Sequence, residues 1–237
     1  MDLLNISRMI DVSAVRTNVP VSEVERLALA ARTYRFICAF VMPCYTSYLA
    51  ELLKDAPQVK IGGVVGFPSG AVTTPIKLAE AKEQLANGAD ELDMVINVGA
   101  LQSGRDEFVY RDIRTVVEAA EGKPVKSILE TAYLTDEEIA RACRIAVRAG
   151  VAYVKTGTGW AGKPATPDTI RLMRDAVEGR ARIKAAGGIR TLDALLALEE
   201  AGCSRFGIGA GSAVSILREA WSRAGKTLPV LPEGEKA

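Results

Sequence analysis

Three stretches of the chain repeat one pattern, in which an amphipathic helix is followed by a glycine and then by a short apolar run. The glycines are Gly88, Gly150 and Gly202, and each lies where a left-handed residue would end the helix. The apolar runs after them are typical of strands that are buried on both faces. Alternation of helix and strand at this spacing predicts a parallel sheet with helices packed outside it.

Eight candidate strands can be counted, and helical patterns separate them. They lie at residues 9–12, 36–42, 60–66, 91–97, 125–130, 151–155, 182–186 and 204–209. Eight such units favour a single closed (β/α)8 barrel, the TIM barrel, over an open doubly wound sheet. We predict that the barrel domain occupies residues 1–225, that Ser22 caps the first helix, and that residues 226–237 form a loosely held tail.

Composition limits the partners of such a domain. With 237 residues and 49% hydrophobic content, the chain can bury one barrel core. Its 30 basic and 29 acidic residues leave a formal charge of +1, so we expect no nucleic-acid or membrane partner. The four cysteines lack CxxC spacing, and neither a secretory signal nor a membrane-spanning run is visible. We therefore expect a cytoplasmic protein that acts on a small molecule.

The sequence contains no histidine. This absence excludes Ser-His-Asp and Cys-His catalysis, and it excludes any metal site with histidine ligands. Acid–base chemistry must then use Lys, Asp, Glu, Tyr or Cys side chains.

Three ionisable residues interrupt otherwise apolar strands. Lys155 ends one predicted strand, Lys184 lies in the next, and Asp93 lies in an earlier one. Because catalytic groups of such barrels gather where the strands end, the two ammonium groups are expected to lie close together. A neighbouring cation and burial both lower the pKa of a lysine, which would leave Lys155 partly neutral and nucleophilic. Such an amine forms a Schiff base with a carbonyl, and Asp93 could relay protons.

Each of these residues also has a purely structural interpretation. A single lysine at a strand end is more often ion-paired or directed to solvent, and Asp93 with Lys184 could form a buried pair. Convergence of three ionisable groups favours catalysis, because buried charges without a use reduce stability.

Two glycine-rich turns follow the last two strands, at residues 186–190 and 206–212. Barrels commonly bind phosphate at these turns through backbone N–H groups. The alternative is that they are tight turns without a ligand.

Several blocks of the sequence resemble the deoxyribose-phosphate aldolase family, in order and along nearly the whole chain. The blocks are residues 66–70 (GFPSG), 88–101 (GADELDMVINVGAL), 126–131 (KSILET), 154–159 (VKTGTG) and 183–191 (IKAAGGIRT). The resemblance implies a TIM barrel that splits 2-deoxyribose 5-phosphate reversibly into glyceraldehyde 3-phosphate and acetaldehyde, without metal or cofactor. It implies Lys155 as the Schiff-base lysine, Lys184 as the lysine that perturbs it, and Asp93 as the proton-relay acid.

The expected substrate and phosphate contacts are Asp11, Lys126, Thr158, Gly187, Gly188, Gly209 and Ser212. The chain departs from the family pattern at residues 207–210 (GIGA), where serine-type phosphate donors are usual. It also departs at residues 11–13 and 40–43, which make the substrate end more apolar, and at Gly157. Lys163 adds a cation that could face either substrate or solvent.

Three functions remain open at this point. The first is cleavage of 2-deoxyribose 5-phosphate, and the second is cleavage of a different aldol, with or without a phosphate group, by a family paralogue. The third is a non-catalytic barrel that binds a sugar phosphate. Barrels of this type often form homo-oligomers, so we expect a dimer or tetramer.

Overall fold

The computed structural model describes residues 2–231, and its eight parallel strands close into one barrel in sequence order. The strands are β1 (Ile10–Ala14), β2 (Cys38–Val41), β3 (Lys60–Val65), β4 (Glu91–Val95), β5 (Val125–Ile128), β6 (Tyr153–Lys155), β7 (Arg182–Ala186) and β8 (Arg205–Gly209). The helices are α1 (Val21–Tyr34), α2 (Thr46–Leu52), α3 (Thr74–Ala86), α4 (Val98–Gln102), α5 (Asp106–Ala119), α6 (Asp136–Ala149), α7 (Pro167–Val177), α8 (Leu192–Glu200) and α9 (Ala210–Arg223). The predicted TIM barrel is therefore confirmed, and each predicted strand overlaps an observed one.

The glycine positions were predicted correctly, whereas the first helix cap was not. Gly88, Gly150 and Gly202 have φ values of 97°, 91° and 118°, in the left-handed region that favours glycine. Helix α1 begins at Val21 rather than after Ser22, and Pro20 is its N-cap. The carbonyl oxygen of Pro20 accepts the N–H of Glu23 at 2.9 Å, so the first turn already includes the serine.

Strand register decides which charged residues meet inside the barrel. Glu91 and Asp93 are two residues apart on β4, so both side chains point to the same face. Asp93 lies opposite Lys126 on β5, and Lys184 on β7 lies opposite Lys155 on β6. Neighbouring strands thus bring these ionisable side chains together in the barrel interior.

Glycine creates the space that these side chains occupy. A Cβ atom at Gly62 would lie 2.2 Å from the ring of Phe40, so only glycine lets this ring enter the barrel. A Cβ atom at Gly207 would lie 3.3 Å from Cε of Lys184 and 3.0 Å from the side chain of Ala186. The small residues of β3 and β8 therefore accommodate large side chains from β2 and β7.

The first part of the predicted tail contacts the barrel. Leu228 is buried, and the hydroxyl of Tyr34 donates a hydrogen bond to the carbonyl oxygen of Pro229 at 3.0 Å. Residues 232–237 lie outside the described residues, so a loosely held tail stays a prediction there. No helix among residues 2–231 is both long and apolar enough to cross a membrane.

Candidate active site

Lys155 and Lys184 both reach the same carboxylate oxygen. The Nζ atom of Lys155 and the Nζ atom of Lys184 each lie 2.7 Å from Oδ2 of Asp93. The two nitrogens are therefore no more than twice this distance apart. All three residues are buried, with Lys155 7% exposed and Asp93 fully enclosed. The three residues selected in the sequence thus form one contiguous cluster.

The cluster is part of a larger network of ion pairs that continues deeper into the barrel interior. Asp11 binds Lys184 at 2.6 Å and also accepts from the guanidinium of Arg205. Glu91 binds Arg205 at 2.6 Å and Lys126 at 2.8 Å, and Lys126 lies 2.9 Å from Asp93. With Lys155 included, four basic groups face three carboxylates in one buried volume. The network is electrically balanced when one of the basic groups is neutral.

Lys155 is the basic group best placed to be neutral. Burial lowers the pKa of Lys155 to about 8, because the charged ammonium loses its hydration; the nearby Asp93 opposes this shift and Lys184 strengthens it. Lys126 and Arg205 change in the opposite direction, because their surrounding carboxylates outweigh burial and raise the pKa of each. The balance of charge and the burial of the amine therefore both favour a neutral Lys155.

Two carboxylates of the network, those of Asp93 and Glu91, stay ionised. Burial alone would raise the pKa of Asp93, but Lys126, Lys155 and Lys184 together hold it well below its ordinary value. The pKa of Glu91 is lowered to about 2, because Lys126 and Arg205 outweigh the effect of its burial. Asp93 is therefore ionised at neutral pH and has no proton of its own to donate.

An aromatic ring forms one wall of the cation cluster. The Nζ atoms of Lys184, Lys126 and Lys155 lie 4.3, 4.9 and 6.0 Å from the centre of the Phe40 ring. The electron-rich face of a phenyl ring attracts cations, and its bulk excludes water from them. Phe40 thus desolvates the lysines while it stabilises those that remain charged. This residue was predicted only to make the pocket more apolar.

A cleft of about 210 Å³ opens above the network at the carboxyl-terminal end of the strands. Eight of the ten predicted site residues line it: Asp11, Lys155, Thr158, Lys184, Gly187, Gly188, Gly209 and Ser212. Asp93 and Lys126 lie beneath its floor, and both are fully buried. Lys126 was predicted as a substrate contact but does not line the cleft, because Asp93 and Glu91 hold its ammonium group at a deeper level. Asp93 does not line the cleft, but it forms ion pairs with Lys155 and Lys184, which do.

Backbone amides gather at one end of the cleft. Gly187 and Gly188 have φ values of 98° and 74°, which keep this turn close to β7. Helix α9 begins beside it, and no side chain caps its first turn at Gly209. The unpaired N–H groups of such a turn favour an anion, and Arg190 and Ser212 also line this end. Lys163 is exposed and is not among the cleft-lining residues.

Apolar side chains form another wall of the cleft, which the sequence analysis did not predict in detail. Val15, Val64 and Phe67 line it, in addition to Phe40. Trp160 covers this wall from outside, because its ring meets Phe67 edge to face at 6.0 Å between centroids. Its indole N–H donates to the carbonyl oxygen of Val15 at 2.9 Å.

One group of side chains in the network has a metal-like spacing. Asp11, Cys38 and Glu91 place one potential ligand atom each within 4.8 Å of one another. Both carboxylates are already paired with ammonium and guanidinium groups. Burial and the neighbouring carboxylates also raise the pKa of the Cys38 thiol well above its ordinary value, which disfavours the thiolate that a metal requires. This donor set therefore fits an ion-pair network better than a metal.

Glu91, Arg205, Glu130 and Arg190 are ionisable residues near the site that the sequence analysis did not select. The sequence could have identified Glu91, because this residue lies two positions before Asp93 and therefore on the same face of β4. Arg205 begins β8, and its partners Asp11 and Glu91 are far away in the sequence. Glu130 lies beyond the end of β5, and its carboxylate accepts hydrogen bonds from Thr158.

Comparison with known proteins shows the family to which this chain belongs. Residues 21–223 match the family described as DeoC/LacD family aldolase. Deoxyribose-phosphate aldolase 1 of Bacillus licheniformis is 47% identical over 214 residues, which cover 90% of this chain and 95% of that protein. Deoxyribose-phosphate aldolase of Methanothermobacter thermautotrophicus is 47% identical over 207 residues, covering 87% and 92%. The tetrameric deoxyribose phosphate aldolase of Aeropyrum pernix has a similar structure, with a TM-score of 0.85 at 31% identity, covering 94% of this chain and 93% of that one. A family match across most of the chain and relatives of this similarity lead to one conclusion, that the chain belongs to the DeoC/LacD family of aldolases.

Proposed function

We propose that this aldolase cleaves 2-deoxyribose 5-phosphate reversibly into glyceraldehyde 3-phosphate and acetaldehyde, with Lys155 as the Schiff-base lysine. The observation that carries the proposal is the buried amine of Lys155, whose pKa is lowered to about 8 beside Lys184 and Asp93. A lysine with an ordinary pKa is almost entirely protonated at neutral pH and cannot attack a carbonyl. The relatives named above carry the same activity in their names.

The reaction begins when the neutral amine of Lys155 adds to the aldehyde carbon, C1, of the open-chain sugar. The carbinolamine loses water and becomes an iminium ion. As the C2–C3 bond breaks, its electron pair moves toward the iminium nitrogen, the C3 hydroxyl loses its proton, and glyceraldehyde 3-phosphate leaves. The enamine that remains is protonated at C2, and hydrolysis of the new iminium releases acetaldehyde and restores the amine. The iminium is the electron sink, so the chemistry requires neither a metal nor a cofactor.

Asp93 and Lys184 serve the proton transfers in this proposal. Oδ2 of Asp93 lies within hydrogen-bond distance of both lysine nitrogens, so a proton can pass between them through one carboxylate. The ionised state of Asp93 suits this relay, since the group returns each proton that it accepts. Lys184 also keeps a positive charge near the amine, which strengthens the lowering of the Lys155 pKa.

The amide-rich end of the cleft is the proposed phosphate subsite. Gly187, Gly188, Gly209 and Ser212 line it, and Arg190 supplies a positive charge. Backbone N–H groups at the start of α9 replace the serine-type donors that residues 207–210 lack. This arrangement supports the phosphorylated sugar over a non-phosphorylated substrate.

Reduction with borohydride in the presence of acetaldehyde tests the function directly. Borohydride traps the iminium, so we expect an added two-carbon group on the peptide that contains Lys155 and none in Lys155→Met. Lys77 is a matched internal control, because it is equally enclosed but pairs with Asp112 in the helix layer. Absence of an adduct at Lys155 in a folded, ligand-binding protein would instead favour a non-catalytic barrel.

Assembly and location are further parts of the proposal. The Aeropyrum pernix neighbour is described as tetrameric, which supports a homo-oligomer, a dimer or tetramer, for this chain as well. Light scattering tests this, and the mass of a monomer at micromolar concentration would contradict it. All four cysteines are free, which supports a reducing, cytoplasmic location that cell fractionation can test.

A further inference from the structure

Arg205 is a buried cation that the mechanism above does not use. It begins β8, and it is the only arginine among residues 2–231 that is buried. A guanidinium group keeps its proton at every pH at which a protein is folded, so Arg205 is a permanent positive charge. Such a charge is costly inside a barrel unless it is paired, and its partners therefore show what it does.

Arg205 shares each of its two carboxylates with a lysine. Its Nε donates to Oδ1 of Asp11, and its Nη2 donates to Oε1 of Glu91 at 2.6 Å. The other oxygen of Asp11 lies 2.6 Å from Nζ of Lys184. Oε1 of Glu91 lies 2.8 Å from Nζ of Lys126. Neither carboxylate therefore depends on its lysine alone for a positive charge.

The third carboxylate of the network, Asp93, is bound by the lysines. Lys126 lies 2.9 Å from Oδ1, and Lys155 and Lys184 each lie 2.7 Å from Oδ2. Lys126 and Lys184 thus divide their charge between Asp93 and a carboxylate that Arg205 also binds. Because Arg205 supplies part of the charge at those other carboxylates, both lysines remain available to Asp93. Asp93 then has two cations without a charged Lys155.

We propose that Arg205 is a positioning residue that keeps the amine of Lys155 neutral by binding Asp11 and Glu91. The inference rests on the proposed function and adds to it the charge that removes the proton from the Schiff-base lysine. With Arg205, four basic groups face three carboxylates, so full protonation leaves one surplus positive charge in a buried volume. Without Arg205, three lysines face three carboxylates, and all three lysines can stay charged.

The lysine that loses the surplus proton is identified by its partners. Among residues 2–231, Lys155 pairs with Asp93 alone, whereas Lys184 pairs with Asp93 and Asp11. Lys126 pairs with all three carboxylates of the network. The ammonium group with the fewest carboxylates is the easiest to deprotonate. The pKa of about 8 that burial gives Lys155 agrees with this assignment.

Other polar groups surround the network but stay the same in every variant of the test. Burial and neighbouring carboxylates keep the Cys38 thiol protonated, because they raise its pKa well above the ordinary value. Arg8 and Arg190 are exposed, so water and salt screen their charges. The remaining groups are the ring of Tyr153, 5.8 Å from Arg205, and the carboxylate of Glu130, which accepts hydrogen bonds from Thr158. Differences between the variants below therefore report the network itself.

Titration of Lys155 in charge-changing variants tests the inference. Trace acylation labels neutral amines, so the rate at which the Lys155 peptide is labelled, measured by mass spectrometry against pH, gives the midpoint of its deprotonation. Arg205→Met removes the permanent charge. We expect the midpoint to rise by about 1, which makes labelling at pH 7 about 10-fold slower. Arg205→Lys keeps a positive charge, since two carboxylates hold its proton, and should keep the wild-type midpoint.

Glu91→Gln removes a carboxylate instead of a cation and should have the opposite effect. We expect the midpoint of Lys155 to fall by about 1, which makes labelling at pH 7 about 5-fold faster. In the double variant Arg205→Met/Glu91→Gln, three lysines face two carboxylates. The surplus of one charge is restored, so the midpoint should return to the wild-type value. A residue needed only for packing would not produce opposite shifts that cancel.

Arg141→Met is the matched control, because it removes an arginine that pairs with Asp106 at 3.5 Å in the helix layer. Its Lys155 midpoint should not move. Unchanged midpoints in Arg205→Met and Glu91→Gln would overturn the inference, and so would a double variant that keeps the shift of either single variant. If Arg205→Met does not fold, the downward shift in Glu91→Gln decides the question alone.

Borohydride trapping with acetaldehyde separates this inference from the proposed function. Midpoints that shift as expected in a wild-type protein and variants that form no adduct would overturn the proposed function and support the role of Arg205. An adduct at Lys155 with midpoints that do not shift would overturn the role of Arg205 and leave the proposed function intact.

Discussion

Replacement of Lys184 by methionine tests the coupling between the two lysines. Methionine keeps most of the length and volume of the side chain but removes its charge. Oδ2 of Asp93 would then lie 2.7 Å from a single ammonium group, that of Lys155, instead of two. One influence that lowers the pKa of Lys155 disappears, and Asp93 becomes more available to stabilise the charged amine. Both changes raise the pKa of Lys155.

The size of the effect follows from the fraction of neutral amine. With a pKa of about 8, roughly one Lys155 in ten is neutral at pH 7. At the ordinary value of 10.5 the fraction is roughly one in three thousand, so about 300-fold is the upper limit of the loss. Burial is the largest cause of the lowered pKa, and it persists in the variant. We therefore expect the pKa of Lys155 to rise by only about 1 to 2, and kcat/KM at pH 7 to fall about 10- to 100-fold.

The assay is the pH dependence of kcat/KM for cleavage of 2-deoxyribose 5-phosphate. The midpoint of its acid limb should move upward in Lys184→Met, and the rate should recover as the pH rises toward the new midpoint. Lys77→Met is the control, because Lys77 is fully buried and paired with Asp112 at 2.5 Å, so this substitution likewise removes one cation from a buried carboxylate. Its midpoint should not move. A Lys184→Met enzyme that is slower but keeps the wild-type midpoint would refute the coupling.

Two other predictions concern the amine and the phosphate. The folded-state pKa of Lys155 lies below its unfolded value, so the unfolded chain binds more protons and stability is lost as pH falls from about 10.5 to about 8. Lys155→Met should therefore be more stable than the wild type at pH 7, by up to about 3 kcal/mol, and urea denaturation should show the gap closing toward pH 10. If two or three charged hydrogen bonds hold the phosphate, 2-deoxyribose 5-phosphate should exceed 2-deoxyribose in kcat/KM by about 100-fold or more, and equal values would contradict a working phosphate subsite.

The architecture was predictable because its signals are local. Gly88, Gly150 and Gly202 mark helix ends through their own backbone conformation, and the apolar runs after them are buried strands. Lys155 and Asp93 were visible for the same reason, since a charge in an apolar strand stands out without any knowledge of its neighbours. Boundaries were less accurate: the strand predicted at residues 151–155 begins at Tyr153.

The network beneath the cleft was not predictable, because it depends on contacts across the barrel. Arg205 forms ion pairs with Glu91 and Asp11, and no local sequence pattern indicates these pairs. The sequence analysis also did not predict how deep in the barrel each lysine lies along its strand. Lys155 ends β6 and reaches the cleft, whereas Lys126 is the second residue of β5 and stays below the floor. The contact between Glu130 and Thr158 requires a left-handed residue at position 130, which the sequence does not reveal.

The most direct test of the account is a titration of Lys155 itself. Trace acylation of the folded aldolase at a series of pH values modifies only neutral amines, and mass spectrometry of the peptide that contains Lys155 gives its rate at each pH. We expect a midpoint near 8, set by burial and by Lys184. A midpoint near 10.5, the ordinary value for a lysine, would contradict a neutral nucleophile at this position.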